Sequence, residues 1–325
     1  MTAFIERLIQ TSIVFLEGLL LPLEVLLLLL FKSKPLACTV EQTAVHHYNN
    51  VPVQPQPIVH AKSDSCLAPS RPLRRTMTWE EKYAQVFQSK TRKMWSEPRG
   101  DEILVRGPKY MTDRTKIPAG KSVGTLVHVD VWNETKTRRG RQDHIAQADS
   151  TRAKSLVQFF AENKPDDILL VLNFQVPGTP FVHVVCYWLL PGGELTSLNV
   201  WTQFIAAIDS QDVTWCNNRF KLIPVIVDGP WLVKATVPQK PALIGNKLTQ
   251  RYFRGANYVE IDMDINSSTI AANIVGLCRG YSKQLVVDLH LTLQGEKNDD
   301  ELPERILGSV QLSHLDFACS QAIMD

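Results

Sequence analysis

The chain has 325 residues, 44% of them hydrophobic, with 35 Lys and Arg against 33 Asp and Glu. That is enough for one large domain or two ordinary ones with a sizeable core. The net charge of +2 gives no general polyanion-binding character, so a nucleic-acid or membrane contact would need a local patch.

Residues 8–31 read LIQTSIVFLEGLLLPLEVLLLLLF, long enough to span a bilayer. Residues 1–31 are therefore expected to be a membrane helix acting as a signal anchor. A cleaved signal peptide and an interfacial helix are the rival readings. Glu6, Gln10, Glu17 and Glu24 project to one side of this helix, and Glu17 and Glu24 form an acidic stripe that offers a surface to a protein partner. Lys32 and Lys34 favour a single pass with the C-terminal side in the cytosol. The six scattered cysteines, with no Cys-x-x-Cys and no zinc spacing, agree with a reducing compartment.

Residues 32–75 hold Pro35, Pro52, Pro55, Pro57, Pro69 and Pro72 among polar residues and read as a disordered linker. His46 and His47 within it read as solvated. From residue 76 to 325 the pattern is globular. Thr78-Trp-Glu-Glu81 has capping-box spacing before a helix running towards Met94. Strands are expected at 103–106, 125–132, 168–176, 181–190, 220–227, 231–237, 258–265, 285–293 and 306–312, and helices at 151–163, 198–209 and 268–279. Turns at Val176-Pro-Gly-Thr-Pro180 and Val227-Asp-Gly-Pro230 suggest hairpins. The expected fold is α+β: a large, curved, mainly antiparallel sheet with a few packed helices, preceded by the N-terminal hydrophobic helix.

Chemistry-bearing patterns are sparse. There is no His-Glu-x-x-His and no phosphate-binding loop. Glu260, Asp262 and Asp264 are a carboxylate cluster, and they read as a solvated strand face near Arg251 and Arg254. His128, His183 and His290 sit among apolar neighbours and read as core or rim histidines; His290 is in reach of Asp288 on the same strand face. No metal and no other cofactor is expected. Lys136, Arg138, Arg139 and Arg141 form a basic loop suited to anionic headgroups. The lack of interleaved aromatics there argues against nucleic acid. Trp231 is expected to be buried at the start of a strand.

The densest signal is the run RFKLIPVIVDGPWLVKATVPQKPALIGNKLTQRYFRGANYVEIDMDIN from Arg219. With Val105-Arg-Gly107, Tyr110, Asp113, Asn173-Phe-Gln-Val-Pro177, Ser267-Ser268, Leu285-Val-Val-Asp288, Glu301-Leu-Pro-Glu304 and Leu307-Gly308, it resembles the C-terminal domain of the plant "enhanced disease resistance 2" family. The resemblance covers about residues 93–316. In plants that domain follows a pleckstrin-homology domain and a START lipid-transfer domain, for which this chain has no room. The resemblance implies a non-catalytic, membrane-associated domain that binds lipid or protein.

The expected function is thus a membrane-tethered, non-catalytic lipid-binding or lipid-sensing module. The alternative is a tethered adaptor with a filled core, and a lesser one is a lipid-acting enzyme using Asp288/His290 or Asp262/Asp264. The apolar face of Leu285, Val287, Leu289, Leu291 and Leu293, with Trp231, is the candidate lipid wall.

Overall fold

Apolar residues that alternate or run together settle into strands here, linked by short Gly-, Pro- and Asn-containing segments. The computed structural model describes residues 77–87, 91–134, 144–297 and 300–322. The apolar segment 8–31, the linker and the basic loop at 136–141 lie outside the described residues. The chain first forms α1 (Trp79–Val86), β1 (Trp95–Ser96), β2 (Leu104–Arg106), β3 (Lys116–Pro118) and β4 (Thr125–Asn133). Then come α2 (Ile145–Ser150), α3 (Leu156–Asn163), β5 (Ile168–Val176) and β6 (Val182–Leu190). Next are α4 (Asn199–Asp209), α5 (Val213–Asn217), β7 (Phe220–Asp228), α6 (Trp231–Thr236), β8 (Ala242–Leu243), β9 (Thr249–Arg254) and β10 (Tyr258–Asp264). The last are α7 (Thr269–Gly280), β11 (Val286–Leu293), β12 (Ile306–Ser313) and β13 (Gln321–Ala322).

The α+β class is as expected, but the strands divide into two main sheets rather than one. An antiparallel five-stranded sheet has the order β1-β12-β11-β7-β8. A mixed six-stranded sheet has the order β13-β4-β6-β5-β10-β9, and β2 and β3 form a separate ribbon. Within the second sheet β5 and β10 run parallel, with Asn173 beside Asp262. Turn signals speak only for neighbours in sequence, so they gave no hint of a pairing between segments so far apart.

The two sheets share one core, in which Leu222, Leu289, Leu291 and Leu312 meet Leu170, Leu172, Cys186, Trp188 and Ile261. At one end they are tied together. Trp188 Nε1 donates to the Ser309 carbonyl across the interface (2.9 Å). The Val123 and Gly124 N–H groups donate to the Ile306 and Leu307 carbonyls (both 2.8 Å). A Cβ on Gly308 would stand 2.7 Å from the Trp188 ring, so only glycine lets the indole lie against β12. The outer face of the six-stranded sheet is covered by Trp79 and Tyr83 of α1, Ile145 of α2 and Phe160 of α3. The ribbon covers part of the other sheet, with Val105 and Ile117 against Ile223 and Ile306.

Helix α1 starts in the expected box: the Glu81 N–H donates to Thr78 Oγ1 (3.3 Å) and the Thr78 N–H to Glu81 Oε2 (3.0 Å). It ends at Val86 instead of running towards Met94. The expected helix at 151–163 is α3 alone, begun by the Ser155 cap, and α2 precedes it. Of the expected strand at 231–237, Trp231–Thr236 form a helix that Val237 ends. Val233 and Val237 point inward, and a spacing of four satisfies both a period of two and one of 3.6. Gly229 at φ +153° and Pro230 at the cap then launch a helix in place of the expected hairpin. Trp231 is 71% exposed, which overturns its expected burial.

The carboxylate row of β10 is also buried, against expectation. Glu260 accepts from the Ile145 and Ala146 N–H groups at the start of α2 (2.6 and 2.8 Å). Asp262 accepts from Asn173 Nδ2 (2.9 Å) and Gln175 Nε2 (3.4 Å) of the parallel neighbour. Burial pushes the Glu260 carboxyl up. Arg254 bonds Asp209 instead of the row, whereas Arg251 stands opposite Asp262 in the β9–β10 ladder.

The Glu301-Leu-Pro-Glu304 segment pins two motif blocks together. Arg219 Nη1 donates to Glu301 Oε2 (2.9 Å) and Lys221 Nζ to Glu304 Oε1 (2.5 Å). Glu304 also accepts from the Arg106 and Gly295 N–H groups (both 3.1 Å). Burial pulls the Lys221 ammonium down even with Glu304 beside it. Removing one charge from such a site strands the other, so Glu304→Gln is expected to cost about 3–5 kcal/mol in chemical denaturation. A Lys221→Met/Glu304→Gln double variant is expected to recover part of that loss, because the amide oxygen still accepts from the Arg106 and Gly295 N–H groups. By contrast Trp231→Ala is expected to change stability by no more than about 0.5 kcal/mol, read from the thermal midpoint, because the ring is mostly in water.

Candidate functional site: an apolar cavity between the sheets

The strands that pack tightly around Trp188 line a cavity of about 630 Å³ at their other end. The six-stranded sheet contributes Phe174, Val176, Val184 and Met263. The five-stranded sheet contributes Leu222, Pro224, Ile226, Val287, Leu289 and Leu312, with Leu285 just before β11. Ile244 and Leu248, between β8 and β9, close another side. Cavities that hold small molecules are typically about 300–1,000 Å³ and mostly apolar, with a few polar groups.

Helix α7 forms the roof. Ser268 caps it, accepting from the Ala271 N–H (3.4 Å). Ala271, Ile274, Val275 and Cys278 line the cavity at the i, i+3, i+4, i+7 spacing of one helix face. Such a stripe normally sinks into a packed core, yet no residue of α7 is fully buried. Its apolar face looks onto the space. Arg279 fixes the far end of the roof by donating to the Pro177 and Pro180 carbonyls (3.0 and 2.7 Å) in the β5–β6 turn. Its guanidinium also stands over the Phe317 ring, 5.1 Å from the centroid. Burial pushes the Cys278 thiol up to about 11, so it stays neutral and serves as another apolar contact. At the rim Pro238, Lys240, Asn246, Lys247 and Ile270 are exposed, with Ile270 67% accessible.

Of the residues singled out from sequence, Leu285, Val287 and Leu289 stand in this wall. Leu291 and Leu293 point into the packed core beyond it. Trp231 is on α6, outside the wall. Lys136, Arg138, Arg139 and Arg141, like Glu17 and Glu24, lie outside the described residues. The contributions of α7, Ile244, Leu248 and Met263 were missed. The α7 stripe is visible in sequence, but an identical stripe would serve a filled core.

The acid–base candidates are held by structural partners. His290 Nδ1 shares a hydrogen bond with Ser309 Oγ (2.8 Å), and both side chains are buried away from the cavity. Asp288 accepts from Gln311 instead of meeting His290 (2.9 Å). His183 bonds Asn173 (3.0 Å) and Glu134 (3.3 Å), and His128 bonds Tyr83 (2.6 Å) and Asp130 (3.2 Å). Burial would raise the Asp130 carboxyl, but the hydrogen bond and charge of His128 and the nearby Arg152 together hold it below its ordinary value. Among the described residues no group of His, Cys, Asp and Glu is placed to hold a metal ion.

The model of the family "Protein ENHANCED DISEASE RESISTANCE 2, C-terminal" matches residues 95–316. The chain belongs to that family. It is 35% identical over 227 residues to the Arabidopsis thaliana protein "ENHANCED DISEASE RESISTANCE 2-like", a match that takes in 70% of this chain. The match covers 29% of that relative's length. No solved structure matches the chain. The family segment runs from β1 to just past β12 and therefore includes both sheets apart from β13, as well as α7 and the cavity lining except Phe317.

His290 gives a pH signature. Burial lowers its pKa to about 4 from an unfolded value near 6.5, so the unfolded chain takes up the proton first as pH falls. The neutral ring's contribution is complete above about pH 6.5 and is lost between there and about pH 4. Urea titrations across this window are expected to show falling stability in the wild type and a flatter slope in His290→Gln.

Proposed function

We propose that this domain binds an apolar lipid in the cavity between its two sheets, beneath α7, and that it does so without catalysing a reaction. The observation that carries the reading is a space of about 630 Å³ whose walls are almost wholly aliphatic and aromatic. An acyl chain or a sterol moved there from water gains about 0.8 kcal/mol per buried CH₂, which compensates α7 for the core contacts it lacks. A protein adaptor with a filled core would need no such space. The family's plant members, where the domain follows a lipid-transfer domain, point the same way. Residues 8–31 supply a membrane tether in this reading, with the domain on the cytosolic side and bilayer lipid as its partner.

The non-catalytic half is supported by the site's chemistry. Among the described residues the cavity wall carries no carboxylate, no histidine and no Ser–His pair, and the buried His290–Ser309 pair is outside it. The purified chain is expected to retain lipid through native mass spectrometry and release it on organic extraction. Ile274→Trp puts a large ring into the cavity from a half-buried roof position, so it should fold with a melting temperature near wild type and carry no lipid. A lipid-free wild type, or a variant that unfolds as an overpacked core would, refutes the reading.

A further inference from the structure

The charged groups around this cavity are one-sided. Among the described residues its charged lining residues are Lys240, Lys247 and Arg279, with no carboxylate beside them. Arg279 is occupied by the Pro177 and Pro180 carbonyls and the Phe317 ring. Lys240 and Lys247 are different: both are exposed, and among the described residues neither has a hydrogen bond or an ion pair. Most other cations nearby are engaged: Lys234 faces Asp228 (3.7 Å), and Lys283 faces Asp316 (2.9 Å). Two unpaired ammonium groups thus sit on the lip of an otherwise greasy chamber.

We propose that the cavity is built for a single-chain amphiphile with an anionic head, its tail beneath α7 and its carboxylate or phosphate held at the rim by Lys240 and Lys247. This rests on the lipid reading above and adds the charge and size of the ligand. The volume suits one long acyl chain and is too small for both chains of a phospholipid. Each lysine lays its aliphatic stem along the apolar lip and keeps its ammonium in water, where an anionic head would stand once the tail is inside. A neutral ligand of equal length would gain the same tail burial but nothing from the lysines, so the rim supplies selectivity on top of apolar affinity.

The test uses the full chain in dodecyl maltoside with a photoactivatable palmitate probe, mapping the crosslinked residues by mass spectrometry. Crosslinks are expected on α7 and β11. Unlabelled palmitate and lysophosphatidate should both compete, cetyl alcohol about tenfold less well, and vesicles of dipalmitoyl phosphatidate hardly at all. Competition by palmitate should weaken with added salt, whereas that by cetyl alcohol should not. The Lys240→Glu/Lys247→Glu variant should keep its melting temperature, since both side chains are exposed, yet lose the preference for the acid. If only palmitate or only lysophosphatidate competes, the head is identified as carboxylate or phosphate and the proposal holds.

Equal competition by alcohol and acid, or a double variant that keeps the preference, overturns the anionic head while leaving the cavity reading intact. Strong competition by dipalmitoyl phosphatidate overturns the single chain. No crosslink at the cavity wall overturns the lipid reading itself.

Discussion

The contact on which the architecture depends is the approach of the two sheets at Trp188. The indole lies on Gly308, donates to the Ser309 carbonyl and brings β6 against β12, while Val123 and Gly124 bond the first residues of β12. A larger residue at 308 would force the ring to shift. With that end pinned, side chains of ordinary size fill the space between sheets there. They do not fill it at the far end, where the strands run on towards α7. A cavity in a protein core normally costs free energy in lost dispersion contacts. Its placement beneath a helix with a matching apolar stripe is what turns it into a site.

Much of the family pattern serves this framework. Arg219, Lys221, Glu301 and Glu304 form a buried charge cluster that joins the start of β7 to the segment before β12, and the Arg106 backbone brings in the ribbon. Asn173, Gln175 and Asp262 lock the parallel β5–β10 pair. Buried polar groups tolerate little displacement, because an unpaired one costs its full desolvation. Such groups specify register. They read as candidate chemistry in a sequence, yet here they hold the sheets that shape the cavity.

The cavity differs from the rest of the molecule in how its parts are held. The wall strands sit within the ladders of two sheets, whereas α7 is anchored by its Ser268 cap and by Arg279 at the β5–β6 turn. A roof pinned at both ends with few core contacts between is the element most responsive to what lies beneath it. The exposed Ile270, Lys240 and Lys247 mark the rim. Apolar lining and a basic rim together match an amphiphile better than a fully apolar or fully polar ligand.

By itself the sequence determined the long strands, the class and the family, but not the edge strands β1, β8, β9 and β13. Runs such as 285–293 and 168–176 alternate or repeat in ways that only a sheet satisfies, and Thr78, Ser155 and Ser268 signal their helices by local hydrogen bonds. It left open whatever depends on a partner distant in the chain. Residues 231–237 carry a spacing common to strand and helix, so Gly229 and Pro230 and the packing of Val233 decided between them. The β10 carboxylates looked solvated because their partners come from β5 and α2, far off in sequence. The apolar face of β11 was legible, but not that Leu289 borders empty space while Leu291 meets packed neighbours. Alternation reports which side of a strand is apolar, and only the opposing sheet and helix determine whether that side meets atoms or a void.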